Sequence, residues 1–315
     1  MRGRVGEGGS SPVRGCPLPT AARFSQASLA ERPQVDSGYC VVIPARNEAD
    51  RISRCIGNVQ RAIDHAGVGP WEILVVDDQS ADDTVAVAQR SGATVIALSR
   101  HEGRLGAWLR GVEASTAPVI VFVDADCEVM VGAFASLLKA FGRSGVGVAA
   151  ARAQPFGTHG DAGIVERSAR FSALILHQIK IQLKNHDFLP IGRLMAIRRE
   201  VWLVSDGAQA PCDRVVAHLA TRAGWGVVYV PEAEVLYEPI TTYGALREDY
   251  LRTRVVRVNL PLDRDPLPAK VWLQAALTGV TRSPADAAAW LACRALLLVD
   301  RVLRSGRPRP ADVDL

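Results

Sequence analysis

Two aspartates separated by a single residue, Asp124 and Asp126, follow directly on the apolar run Val119–Val123. Carboxylates so close together at a strand terminus can share a hard divalent cation, which prefers oxygen ligands, and such an ion can bridge the phosphates of a nucleoside diphosphate. The pattern alone is short, and exposed aspartates also serve simply as solvated loop residues. A second acidic pair, Asp77 and Asp78, closes the run Glu72–Val76. Asp78 stands where it can accept hydrogen bonds from a base or ribose, whereas Asp82 and Asp83 suit the first turn of the next helix as cap and dipole partners. A third cluster, Pro44, Arg46, Asn47 and Glu48, follows the first apolar run. Pro44 stiffens the strand exit, Glu48 is read as opening a helix and Asn47 as its N-terminal cap. Three polar clusters at three strand ends exceed what capping alone explains.

The elements that must position these groups alternate along the chain. Short apolar runs at 39–44, 72–78, 94–99, 119–126 and 146–151 are separated by helical patterns at 48–65, 82–90, 103–115 and 130–141. Such alternation predicts βαβ units and an α/β/α sandwich with a mostly parallel central sheet. In open sheets of this kind ligands bind outside the carboxyl ends of the strands, where the three clusters fall. Further on, a long helix is expected over 163–184, a short strand at 194–197, a helix at 213–223, two strands at 226–230 and 233–238, and a basic helix at 243–258. Pro261, Pro266 and Pro268 open a C-terminal helical segment. The expected organisation is a disordered tail over 1–37, one nucleotide-binding domain over 38–260 and helices over 261–315.

The ordered set VVIPARNE, VVDDQSADDT, EGRLGAWLRGVEAS and VIVFVDAD resembles the family 2 glycosyltransferases of the GT-A fold, over about residues 39–258. The resemblance implies a nucleotide-sugar donor, a divalent Mn²⁺ or Mg²⁺ and, most often, inversion at the anomeric carbon. It implies that Asp126 ligates the metal with Asp124 assisting, that Pro44, Arg46, Glu48, Asp78 and Asp124 line the donor nucleotide site, and that Arg104 lies near base or phosphates. Direct displacement needs a general base for the acceptor hydroxyl. In the family this base opens a helix after a Gly-containing acceptor segment. Here Asp213, after Gly192-Arg193-Leu194-Met195, occupies the slot, with helix capping as its competing role; Cys212 replaces the more usual acid. The Gln-x-x-Arg-Trp motif of many polysaccharide-making relatives is replaced by residues 250–257, where Arg254 and Arg257 are the candidate diphosphate or acceptor contacts and an ordinary solvated basic face is the alternative. Without that Trp a processive synthase is disfavoured. Tyr237-Glu238 ends a strand where relatives frequently present a His or other polar group to the site; a strand-end Tyr half buried on the core is the alternative. His101 and Glu102 either touch phosphates or are simply exposed.

Composition narrows the alternatives. Net charge is +4, and only four of the 37 basic residues are Lys, so the broad cationic field of nucleic-acid binders is missing. Six scattered cysteines form no Cys-x-x-Cys or Cys/His cluster, which fits a reducing cytosol. The apolar stretch Ala285–Val299 carries Asp286 and Arg294 and falls short of the roughly 20 residues of a membrane span. The expected setting is cytoplasmic, with peripheral contact at the inner membrane face through the C-terminal helix left open, and with a glycan or lipid-linked acceptor. A nucleotidyltransferase would show a Gly-rich phosphate loop after the first strand, which PARNEADR lacks. A nucleotide-sugar-binding protein without turnover is the other alternative; the complete acidic sets argue against it.

Overall fold

The computed structural model describes residues 38–156, 162–183, 192–204, 213–250 and 269–304. Its first half is a regular alternation: β1 (Tyr39–Ala45), α1 (Ile52–Ala66), β2 (Trp71–Asp77), α2 (Thr84–Arg90), β3 (Thr94–Ala97), α3 (Gly103–Ala114) and β4 (Val119–Val123). The second half is less regular, with β5 (Cys127–Val129), α4 (Ala133–Phe141), β6 (Val146–Pro155), α5 (Ile164–Leu183), β7 (Leu194–Arg198), α6 (Arg199–Val204), α7 (Asp213–Arg222) and β8 (Gly226–Tyr237). A helical stretch at 243–250, α8, then α9 (Ala269–Arg282) and α10 (Pro284–Arg304) complete the described chain.

The strands form one sheet in the order β3-β2-β1-β4-β7-β6-β8-β5. From β3 to β4 all pairings are parallel. Val41, Val42 and Ile43 in β1, and Val119 to Val123 in β4, are fully buried. Successive side chains point to opposite faces, so a strand covered by helices on both sides must be apolar at every position. Val41, Ile43 and Val121 accordingly meet Ile56, Val59 and Phe134 of α1 and α4, while Val42, Ile120 and Phe122 meet Trp108 and Trp202 on the other face. Gly111 lets α3 come down on β1, because a Cβ there would lie 2.4 Å from Val42 Cγ1.

Several expectations are corrected. α1 begins at Ile52, four residues after Glu48, whose carbonyl accepts the Arg51 and Ile52 amides; no side chain caps this helix. The runs at 226–230 and 233–238 are one strand, β8, paired in parallel with β6, with Ala151 opposite Val230 but Arg152 opposite Glu234. The three residues looped out begin with Pro231, which has no amide to give a ladder. β5 and α6 are too short to be read from periodicity. β7 runs antiparallel between β4 and β6. α9 and α10 lie along α5, with Trp290 5.7 Å from Phe171 by ring centroids and Asp286 Oδ1 accepting from Arg170 Nη2 at 2.8 Å. The expected tail over 1–37 and the boundary at 260/261 fall outside the described residues. No described helix is long and apolar enough to cross a membrane.

Candidate functional site

At the carboxyl edge of the parallel strands, short polar side chains bind the β1–α1 and β2–α2 loops to each other. Asn47 adopts a left-handed conformation, φ 56°, and its Oδ1 accepts the Ala81 amide at 2.8 Å, while its own amide donates to Ser80 Oγ at 2.9 Å. Asn47 therefore joins two loops instead of capping its own helix. Asp82 does act at its helix start: Oδ1 accepts the Thr84 amide at 3.0 Å, and Oδ2 reaches across to the Ala49 amide at 3.1 Å. Thr84 Oγ1 accepts the Glu48 amide at 2.8 Å. Asp77 turns back on its own loop, Oδ2 accepting the Ser80 amide at 3.1 Å.

Asp78 is 4% exposed. One oxygen accepts the Glu102 amide at 2.7 Å and the other lies 2.7 Å from His101 Nδ1. His101 Nε2 is 2.9 Å from Arg46 Nη1. A guanidinium can only donate, so Nε2 is the acceptor and the imidazole proton sits on Nδ1, which lies close to Asp78 without completing a hydrogen bond to it. The structure thus brings Asp78 and Arg46 together through His101, a link the sequence did not reveal because the three residues come from three separate loops. Glu102 is held by Arg110, 3.0 Å away, and its carboxyl lies below the usual range because Arg110 and Arg100 donate to it.

Arg104, on the first turn of α3, places its guanidinium 5.2 Å from the Trp108 ring centre and Nη1 3.5 Å from Asp124 Oδ2. Beneath it, Trp108, Phe122 and Trp202 pack with centroids 4.8 and 5.4 Å apart. Asp124 and Asp126 end β4 as the sequence suggests, and their oxygens lie with Cys127 Sγ inside a 4.8 Å cluster. Burial pushes the Cys127 thiol up, with the two aspartates adding to the effect, and its Sγ donates to Asp126 Oδ1 at 3.4 Å. The two carboxylates fit Mn²⁺ or Mg²⁺, which prefer oxygen ligands. Glu48 lies near the same cluster. Its carboxyl is raised by burial despite an ion pair with Arg51 at 3.1 Å.

Arg193 is the site residue that sequence reasoning missed. It precedes β7, and because β7 is antiparallel to β4, Arg193 arrives beside the end of β4: the Asp124 amide donates to its carbonyl at 3.1 Å. Its Nη1 donates to both oxygens of Asp126, at 3.0 and 2.7 Å, and lies 4.0 Å from Asp124 Oδ2. The guanidinium sits 4.0 Å over the ring of Tyr237. Burial opposes its charge, but Asp126 and the other acidic neighbours outweigh that and raise its pKa. The signal in the sequence was a basic residue directly after the glycine of the acceptor segment. Gly192 itself holds φ 82°, a left-handed turn that favours glycine. Pro44 lies within β1, one residue before its end. Asp213 opens α7, as expected, but its side chain, together with Arg254 and Arg257, lies outside the described residues.

The description "Glycosyl transferase family 2" matches residues 40–204, over half of the chain. An uncharacterized glycosyltransferase of Mycobacterium bovis is 31% identical over 209 residues, 64% of this chain and 85% of that protein. Among solved structures, a mannosyltransferase of Pyrobaculum calidifontis in complex with GDP-Man and Mn²⁺ superposes with a TM-score of 0.52 at 18% identity, covering 89% of this chain and 83% of its own. A glucosyl-3-phosphoglycerate synthase of Mycobacterium tuberculosis with Mg²⁺ and UDP gives 0.51 at 21% identity, covering 71% and 80%. The architecture is therefore that of the GT-A glycosyltransferases, and the chain, with its acidic pair at the end of β4, is a glycosyltransferase belonging to glycosyl transferase family 2.

Proposed function

We propose that this enzyme transfers a single sugar, with inversion, from a nucleoside-diphosphate sugar, UDP-linked by preference, to a hydroxyl of a glycan or lipid-linked acceptor. The observation that carries the reading is the placing of Asp124 and Asp126 at the end of β4, in reach of one divalent ion and on the same sheet edge as Asp78. Asp78, through His101 and Arg46, faces the nucleoside, and Pro44 and Glu48 complete that side. Arg104 meets the phosphates, Asp126 with Asp124 holds Mn²⁺ or Mg²⁺, and the bound ion supplies charge neutralisation for the departing diphosphate. Asp213 takes the acceptor proton as the hydroxyl oxygen bonds to the anomeric carbon and the carbon–oxygen bond to the diphosphate breaks. Arg254 and Arg257 are assigned to the diphosphate or the acceptor, which passes over Gly192. Single transfer is supported by the replacement of the Gln-x-x-Arg-Trp motif.

A lipid-linked acceptor is supported by the outward side of α9 and α10. Trp272, Leu273, Leu277 and Val280 on one helix, and Leu291, Leu296, Leu298 and Val299 on the other, are 46–62% exposed. Their acids turn inward, Asp286 to Arg170 and Asp300 to Arg247, while Lys270, Arg282 and Arg294 stay exposed. An apolar face with a cationic rim suits the surface of an anionic bilayer at the inner face of the cytoplasmic membrane.

Calorimetric titration of the protein with UDP, GDP and dTDP, each with and without Mn²⁺, tests the donor site. Metal-dependent binding of UDP is expected; failure of every nucleotide to bind in the presence of Mn²⁺ would overturn the reading.

A further inference from the structure

Arg193 spans the two carboxylates of the acidic pair. Its Nη1 bonds both oxygens of Asp126 and approaches Asp124, and the guanidinium has the Tyr237 ring as a platform on its other side. Arg104 stands at Asp124 from the opposite flank. The backbone of Arg193 is pinned by the hydrogen bond from the Asp124 amide, and the turn at Gly192 fixes where the side chain begins. The side chain alone is therefore the movable part. Arg193 and Asp126 are each 30% exposed at their side chains, so the pair is reachable from solvent.

A divalent ion and a guanidinium compete for the same Asp126 oxygens, since two cations at one carboxylate repel across a few ångströms of partly buried space. A nucleoside diphosphate changes that balance, because its phosphates offer the guanidinium other acceptor oxygens a short swing away. We infer that Arg193 is a displaceable counter-cation of the Asp124/Asp126 pair. It holds the two carboxylates in the free enzyme, opposes entry of the ion alone, and passes to the diphosphate when ion and nucleotide arrive together. Ion and nucleotide thereby bind as a linked pair.

The inference rests on the metal assignment of the proposed function, and one set of titrations separates the two. Mn²⁺ is titrated alone into the full-length wild type, Arg193→Ala and Arg193→Gln, and then again with saturating UDP. In the variants Mn²⁺ alone should bind about tenfold more tightly than in the wild type, and the gain in Mn²⁺ affinity conferred by UDP should shrink by a similar factor. A residue that merely propped the site would, on removal, weaken Mn²⁺ binding. Arg193→Gln keeps much of the side-chain volume and a donor for Asp126, so it guards against an unfolded alanine variant. If the wild type binds Mn²⁺ with UDP but both variants bind Mn²⁺ alone no more tightly, Arg193 is a fixed clamp and the inference is overturned. If the wild type binds no Mn²⁺ even with UDP, the metal assignment itself falls and this inference with it.

Discussion

The two sides of the candidate site are built by different means. On the β1–β2 side, Asn47, Ser80, Asp82 and Thr84 are short side chains bonded to backbone amides, and they lock two loops into one body. On the β7–β8 side the contacts are made by long arginines: Arg193 to Asp126, Arg152 to Glu234, and Arg51 and Arg54 across to Glu238. Short side chains hold a fixed shape at little entropic cost, whereas arginines carry charge to the site and can let go of it. In the proposed reading the first side is a rigid cradle for the nucleotide and the second a set of latches.

The contrast breaks at its most sensitive point if Asp126 is replaced. Asp126→Ala should lower nucleoside diphosphate release in a donor assay by roughly 10³-fold, the scale of losing a group that stabilises developing charge, with an unchanged circular dichroism spectrum. Wild-type release from this variant would remove the latch side from the chemistry. On the cradle side the cost should appear as stability. Asp78→Ala leaves the Glu102 amide without its acceptor and removes the carboxylate beside His101, and should cost about 2 kcal/mol in urea unfolding. Asp82→Ala removes both a helix start and a loop tie and should cost about 1 kcal/mol. A cradle variant that reduced turnover with no loss of stability would erase the distinction.

A smaller effect belongs to the latch side. His177 Nδ1 lies 2.7 Å from Tyr229 Oη, and burial, aided by the charges of Arg152, Arg282 and Lys180, lowers its pKa from 6.5 to about 4. The unfolded chain takes up this proton near 6.5 and the folded chain only near 4. Between those values the unfolded state binds more protons, so stability falls as the pH is lowered through that window. Urea midpoints at pH 7 and pH 5 should draw closer together in His177→Phe. Smallest of all, Leu277→Ser and Leu291→Ser should shift stability by less than about 0.5 kcal/mol while reducing sedimentation with anionic vesicles. Equal sedimentation of wild type and variants would separate the α9–α10 face from membrane contact.

The same contrast explains what was legible in the sequence. The cradle is written in local order: strand, polar cluster, helix, with each cluster marking its strand end. Its apolar runs are continuous because β1, β2 and β4 are covered on both faces. The latch side is written in pairings between distant residues, such as Arg193 with Asp126, 67 positions apart. No period or spacing announces such a pair. β5, with three residues, and α6, with six, are too brief for a period to show. β8 read as two strands because its excursion after Val230 interrupts an otherwise apolar run.

The reversed direction of β7 has a further result for how such an enzyme diversifies. Parallel strands present their exits to the catalytic edge, and from β1, β2 and β3 the loops lead away into helices. Among the described strands β7 and the short β5 run the other way, and β7 gives that edge an entrance. Gly192 and Arg193, directly before β7, are brought beside the end of β4 by that reversal. If, as proposed, the acceptor passes over Gly192, changes around that residue alter what the enzyme accepts while the β1–β2 loops keep their ties, and acceptor preference becomes a trait inherited separately from donor preference.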